Sequence, residues 1–265
     1  MTSLDLSDPN LPAALDLAVA AAREAGDILR RLGGQPVQVL SAEGRDIKTQ
    51  ADRDAEAAIL ARLRDASPWP ILAEESGDQG VPDVGPFWVV DPLDGTLNFA
   101  RGIPLATVAI ALMEADRPLL GVIYDFCRDE LFRGLAQPGA GLWEIAGVQH
   151  PLSVSAVSDP RQAILATGFP TNRDYSEPAL REMIGQIQRF KKVRMLGSAA
   201  WMLAAVACGR VDAYAEDDLY LWDVAAGVAL VQAAGGYVEL NPSPRGRWAR
   251  RVRVASRKSL WRPPA

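Results

Sequence analysis

Two short apolar runs in this chain end abruptly in acid. Ile71-Leu72-Ala73 leads straight into Glu74-Glu75, and Phe87-Trp88-Val89-Val90 leads straight into Asp91. Apolar runs of this length, without polar alternation, read as strands buried on both faces. A sheet covered on both faces needs other layers packed against it, so the pattern restricts the chain to a layered α/β architecture. A buried strand that stops in a carboxylate delivers that carboxylate to the rim of its sheet, and ligand sites in α/β folds gather at such rims.

The rest of the chain supplies those layers. Residues 11–32 carry Leu15, Val19, Ala22 and Leu29 near helical spacing, and Gly33-Gly34 ends the helix. Residues 35–40 form a short strand. Residues 52–65 form a second helix on Ala55, Ile59, Leu60 and Leu63, stopped by Pro68 and Pro70. Residues 105–113, 119–126 and 130–135 read as strands joined in antiparallel hairpins across Asp116-Arg117-Pro118 and Arg128-Asp129. Residues 139–151 read as irregular. Beyond them, strands at 163–167, 193–196, 211–215 and 237–240 alternate with helices at 177–190, 198–208 and 223–234. The middle one of these helices is capped by Ser198 and closed by Gly209. No Ser/Gly linker and no internal repeat divides the chain, so residues 1–265 read as one domain.

Composition removes several classes of function. The chain has 33 acidic and 28 basic residues, a net charge of -5, which argues against general nucleic-acid binding. Its single histidine, His150, stands beside Pro151 in a loop-like stretch and suits neither a multi-histidine metal site nor a Ser-His-Asp triad. Cys127 and Cys208 offer no disulfide framework or zinc spacing and read as buried apolar residues. Residues 245–262 hold eight basic residues and no acid, and read as a solvated edge strand and terminus. The N-terminal residues are polar and acidic, and the longest apolar stretch, 199–208, is too short to cross a bilayer. These features point to a soluble cytoplasmic protein with no membrane contact.

Glu74, Glu75, Asp91 and Asp94 therefore meet at a sheet rim with no basic residue in their motifs to neutralise them. Clustered carboxylates repel one another, and a divalent cation satisfies them. Hard oxygen donors without His or Cys favour magnesium or manganese over zinc. In Asp91-Pro92-Leu93-Asp94-Gly95-Thr96, Pro92 and Gly95 shape a turn that can aim the Leu93 carbonyl at the same cation. Gly95 and Thr96 then open a helix-like segment whose N–H groups form a phosphate cradle. A cation site beside a phosphate site implies phosphate-ester chemistry.

With its flanks, this motif resembles the signature of the inositol monophosphatase family. Asp91-Pro92-Leu93-Asp94-Gly95-Thr96-Leu97-Asn98-Phe99 followed by Gly102-Ile103-Pro104 is similar to the family's central element. Trp222-Asp223-Val224-Ala225-Ala226-Gly227 is similar to its second. Asp46-Ile47-Lys48-Thr49-Gln50-Ala51-Asp52 and Ala73-Glu74-Glu75-Ser76-Gly77 resemble the two upstream elements, in the family's order. The resemblance covers nearly the whole chain. It implies a layered α-β-α-β-α sandwich of the inositol monophosphatase and fructose-1,6-bisphosphatase type. It also implies a magnesium-dependent, lithium-sensitive phosphatase with two or three ions per site, and a homodimer.

By the same resemblance, Glu74, Asp91 and the Leu93 carbonyl hold a first ion. Asp91, Asp94 and Asp223 hold a second, and Asp52 with Glu74 a weaker third. Thr96, oriented by Asp52 and with Thr49 in support, positions the attacking water together with Glu74. Gly95 and Thr96 hold the phosphoryl oxygens, while Asp94, Ala199, Glu216 and Asp223 face the polyol leaving group. The implied substrate is inositol monophosphate or a similar polyol phosphate. Histidinol phosphate, fructose 1,6-bisphosphate and 3'-phosphoadenosine 5'-phosphate are rivals that share the metal motif. A transcription-associated RNA-binding role is the non-enzymatic rival. Three features depart from the family pattern: Ser41, with Arg45 further on, stands where animal relatives carry a loop lysine, Arg101 occupies a position that varies among relatives and is often His, and the stretch from Glu216 to Leu221 is unusually acidic and apolar.

Overall fold

The computed structural model describes residues 4–34, 38–43, 46–169 and 175–262. In chain order the elements are α1 (Leu11–Leu32), β1 (Val39–Glu43), β2 (Asp46–Thr49), α2 (Gln50–Ala66), β3 (Ile71–Ala73), β4 (Gly77–Asp78), β5 (Pro86–Asp94) and α3 (Thr96–Ala100). There follow β6 (Thr107–Glu114), β7 (Arg117–Asp125), β8 (Glu130–Leu135), β9 (Gly141–Ile145), β10 (Val148–Pro151), β11 (Ile164–Ala166) and α4 (Glu177–Ile187). The chain closes with β12 (Lys192–Arg194), α5 (Ala199–Ala207), β13 (Ala213–Tyr220), α6 (Leu221–Ala233), β14 (Tyr237–Pro242) and β15 (Ala249–Ala255). Part of the strand expected at 35–40 lies outside the described residues, as does Arg45.

Strands β10-β9-β8-β7-β6-β5-β3-β4 make an eight-stranded sheet, and β12-β11-β13-β15-β14 a five-stranded one. Side-chain alternation assigns the layers. Trp88 and Val90 on β5, with Val108, Ile110 and Leu112 on β6, pack against α1 and α2. Phe87 and Val89, with Ala109, Ala111 and Met113, pack the opposite way onto α5 and α6, which also meet the second sheet through Tyr214, Val252 and Val254. A third cluster, built on Leu165, Ala213 and Phe190, fills the outer face of that second sheet. The order is α-β-α-β-α, as expected from the resemblance.

Several local expectations change. The 139–151 stretch is not irregular: β9 and β10 form an antiparallel hairpin, which places His150 in a strand against Trp143. Asp91 to Asp94 is not a free turn after a strand. β5 continues through it with a bulge, pairing Asp91 with Ala109 and Asp94 with Thr107. The extra residue aims successive side chains differently from a regular pleat. The strand expected at 211–215 runs on to Tyr220 through a second bulge between Asp217 and Leu219. The helix expected at 177–190 ends at Ile187. Cys127 is exposed and Cys208 half-buried, so neither is the buried apolar residue its sequence context suggests.

The basic tail is not an edge. β15 lies between β13 and β14 and pairs antiparallel with both. Three of the tail's arginines are paired with acids of the same chain: Arg250, 4% exposed, donates to Asp116 at 2.8 Å, Arg247 meets Asp78 and Asp83, and Arg245 donates to Asp218 at 3.0 Å. Removing β15 would strip a ladder from each neighbour and expose Val252 and Val254. A chain ended after Pro244 is therefore expected to lose cooperative thermal unfolding and its near-ultraviolet circular dichroism, rather than to behave as a trimmed native protein.

Candidate active site

Each candidate side chain is placed by a local device. Glu74 follows β3, and its N–H still donates to the Val90 carbonyl at 3.1 Å, so it sits beside the end of β5. Asp91 accepts the Leu93 N–H at 3.0 Å, which ties its carboxylate to the bulge. Gly95 caps α3 with φ of 89°, and a Cβ there would lie 2.8 Å from the Leu105 carbonyl oxygen. Only glycine takes that conformation in that space.

Asp52 is not the helix cap but the third residue of α2, with Thr49 as the cap. Its Oδ2 accepts the Thr49 N–H at 2.8 Å and the Thr49 hydroxyl, while its Oδ1 lies 3.0 Å from the Thr96 hydroxyl. That hydroxyl is also 3.0 Å from the Leu93 carbonyl oxygen. Thr49, Asp52 and Thr96 thus form one chain of hydrogen bonds linking α2 to α3.

Asp94 is turned into the N-terminus of α5. It accepts hydrogen bonds from the Ser198 hydroxyl, the Ala199 N–H (3.2 Å) and the Ala200 N–H (2.8 Å). The Ala199 N–H, expected to face a leaving group, is here donated to Asp94. A carboxylate at a helix N-terminus gains from both the free N–H groups and the dipole. Asp223 stands in the first turn of α6 and accepts the Tyr220 N–H at 2.8 Å. Glu216, buried in β13, accepts the Tyr214 hydroxyl at 2.8 Å.

These elements converge on one cleft of about 630 Å³. Among the described residues lining it, the acids are Glu74, Asp91, Asp94, Glu216, Asp218 and Asp223, and Lys48 alone is basic. Gly95, Thr96 and Ala199 line it as well, whereas Asp52 and Thr49 stand behind it. Lys48 pairs with Glu75 at 3.3 Å.

The acids crowd one another. Burial first, and then the charge of Asp223, holds Glu74 well above the usual carboxylate range. Burial and the charges of Glu74 and Asp94 do the same to Asp91. Carboxylates crowded in this way need a proton or a cation among them. Burial also raises Asp94 and Asp52, against the opposing hydrogen bonds of Ser198 and α5 and of Thr49 and Thr96 respectively. Among the described residues, no three His, Cys, Asp or Glu side chains are placed closely enough to hold a metal ion as they stand. The donor set is nonetheless all oxygen, crowded and nearly without basic neighbours, which fits a hard divalent cation.

Sequence reasoning passed over three participants. Tyr214 orients Glu216 from two positions earlier on the same strand face, a spacing that was there to be read. Ser198 serves Asp94 as well as its own helix, and Tyr220 lines the cleft mouth. Nothing in the local sequence signals these last two.

Residues 11–260 match the sequence model described as the inositol monophosphatase family. The chain is 41% identical over 240 residues to an inositol-1-monophosphatase of Synechocystis sp., covering 88% of this chain and 80% of that one. It is 40% identical over 229 residues to the Nus factor SuhB of Xylella fastidiosa, covering 85% and 81%. A crystal structure of the extragenic suppressor protein suhB of Bartonella henselae superposes with a TM-score of 0.81 at 34% identity, over 94% of this chain and 95% of that one.

Proposed function

The chain belongs to the inositol monophosphatase family, and on that footing we propose that it is a magnesium-dependent phosphomonoesterase acting on inositol monophosphate or a closely similar polyol phosphate. The observation that carries this reading is the convergence of Glu74, Asp91, Asp94, Glu216 and Asp223 on one cleft. In this reading Glu74, Asp91 and the Leu93 carbonyl hold one Mg2+, and Asp91, Asp94 and Asp223 hold a second. Asp52 and Glu74 contribute to a weaker third, and Mn2+ is an alternative ion. The chemistry these cations supply is the acidification of water to a nucleophile and the neutralisation of charge on the leaving oxygen.

The chain's own groups do the rest. Asp52 holds the Thr96 hydroxyl, leaving its lone pairs to accept a hydrogen bond from the attacking water, and Glu74 orients that water from the other side. The N–H groups of Gly95 and Thr96 receive the phosphoryl oxygens. Carboxylates suit polyol hydroxyls because those hydroxyls are donors. Glu216, Asp94 and Asp223 take that part. No covalent phosphoenzyme is required, in keeping with a cleft lined by neither His nor Cys among the described residues. A cytoplasmic homodimer completes the proposal.

The test is phosphate release by the purified protein from inositol 1-phosphate, histidinol phosphate, fructose 1,6-bisphosphate and 3'-phosphoadenosine 5'-phosphate, with Mg2+ or with EDTA. Inositol 1-phosphate is expected to show the highest kcat/KM, and EDTA to abolish turnover on all four. A higher value on another ester moves the assignment to that ester, and EDTA-resistant turnover overturns the metal-dependent reading. A transcription-associated role is favoured by the names of several relatives, the Nus factor SuhB proteins of Xylella fastidiosa, Pasteurella multocida and Escherichia coli among them. The internal pairing of Arg245, Arg247 and Arg250 argues against the tail as its nucleic-acid surface.

A further inference from the structure

The cleft has an aromatic wall as well as an acidic one. Tyr220 and Trp222 stack with ring centroids 4.6 Å apart and planes 18° from parallel. Both line the cleft that holds Glu216 and Asp223. Trp222 packs against the core between the two sheets, so its ring is a fixed support. Tyr220 is 42% exposed and forms the solvent side of the stack. The bulge between Asp217 and Leu219, with Asp218 at φ of 63°, sets where Tyr220 leaves the strand. Asp218 is itself held there by Ser243 and Arg245. The tyrosine at the mouth is thus built in at both ends: its backbone N–H caps onto Asp223, and its ring lies on Trp222.

We propose that Tyr220 is a specificity-determining residue that selects ring-shaped polyol phosphates over acyclic ones. The inference rests on the phosphatase reading above and deepens it. A cyclic polyol offers two kinds of surface: hydroxyls that donate outward and a face of C–H groups. Glu216 and Asp223 accept from the hydroxyls, and the ring of Tyr220 meets the C–H face. An acyclic polyol presents the same hydroxyls but no rigid face for the aromatic ring to cover. The preference therefore resides in leaving-group contact and leaves the metal-binding carboxylates unaltered.

The experiment compares kcat and KM for inositol 1-phosphate and for glycerol 2-phosphate in the wild type, Tyr220→Ala and Tyr220→Phe, all with saturating Mg2+. Tyr220→Ala is expected to raise KM for inositol 1-phosphate by about tenfold, the scale of one lost aromatic contact. Its KM for glycerol 2-phosphate and both kcat values should stay within about twofold. Tyr220→Phe keeps the ring and is expected to keep the preference. An equal loss on both substrates, a fall in kcat alone, or no change on either overturns the proposal. If Tyr220→Ala fails to fold, loss of the preference in a folded Tyr220→Leu variant takes its place, and retention of the preference there overturns it. A wild type that hydrolyses neither ester instead overturns the parent reading, a result visible before any variant is made.

Discussion

Asp91→Asn is expected to lower magnesium-dependent phosphate release by about a thousandfold or more. Metal ions at a phosphoryl site contribute several kcal/mol of transition-state stabilisation, and each factor of ten corresponds to about 1.4 kcal/mol. Asp91 is the proposed ligand common to both main ions, so its loss weakens both. The same change is expected to stabilise the metal-free fold. Asp91 is buried and raised by its acidic neighbours, so it contributes stability only while protonated. That contribution is complete below its unfolded-state pKa and is lost as pH rises through the raised folded value. Asparagine cannot ionise. Its amide oxygen can still accept the Leu93 N–H.

In EDTA, Asp91→Asn should therefore melt above the wild type at neutral and alkaline pH, by roughly 2–4 °C for each kcal/mol relieved. The gap should close as pH falls below the ordinary carboxylate range. Added Mg2+ should raise the wild-type melting temperature and leave the variant nearly unmoved. Undiminished turnover in the variant would end the assignment of Asp91 as a ligand. An EDTA melting temperature no higher than the wild type at pH 8 would remove the crowding argument.

Gly121→Ala is expected to cost about 2–4 kcal/mol of stability, at or somewhat beyond the ordinary range for overpacking, because the obstruction is backbone. A Cβ at this position in β7 would lie 2.3 Å from the carbonyl oxygen of Ala226 and 3.0 Å from that residue's carbonyl carbon and Cα. No rotamer change relieves a contact with a helix main chain, so α6 must move away from the eight-stranded sheet. Helix α6 carries Asp223 in its first turn, and the half-saturating Mg2+ concentration should rise along with the loss of stability. Denaturant titration and Mg2+ activation measure the two effects. Gly185→Ala on α4 is the control: nothing stands within 4 Å of its Cβ, and the helix should gain slightly. Equal midpoints for Gly121→Ala and the wild type would show that α6 can yield at no cost.

Gly121 also shows where sequence reading stops. It sits in the apolar run 119–126, where it looks like a weak strand residue. Its necessity comes from a helix that follows in the chain by about a hundred residues. The strand-to-acid junctions at Ala73-Glu74 and Val90-Asp91 were readable because burial and its abrupt end are local patterns. The helix at Leu11–Leu32 was readable to the residue because its apolar period lies within its own span and its terminating glycines follow directly after it. The bulges were not: Asp91 to Asp94 and Asp217 to Leu219 are bulges only relative to the strands that pair with them. Tyr214, by contrast, could have been found from its two-residue spacing to Glu216.

The amino-acid sequence by itself determined which groups are available. It set the hard oxygen donors at strand ends, the glycine that caps α3, the helix caps and the apolar faces, because each depends on neighbours within a few turns of chain. Only the tertiary structure decided how they are used. It brought Asp223 on α6 to the acids of β3 and β5, turned Asp94 onto the N-terminus of α5, and seated a basic segment as an inner strand between β13 and β14. Those outcomes depend on which layer packs on which, and that is settled by the burial of whole faces and the pairing of distant strands, which no short window of residues encodes.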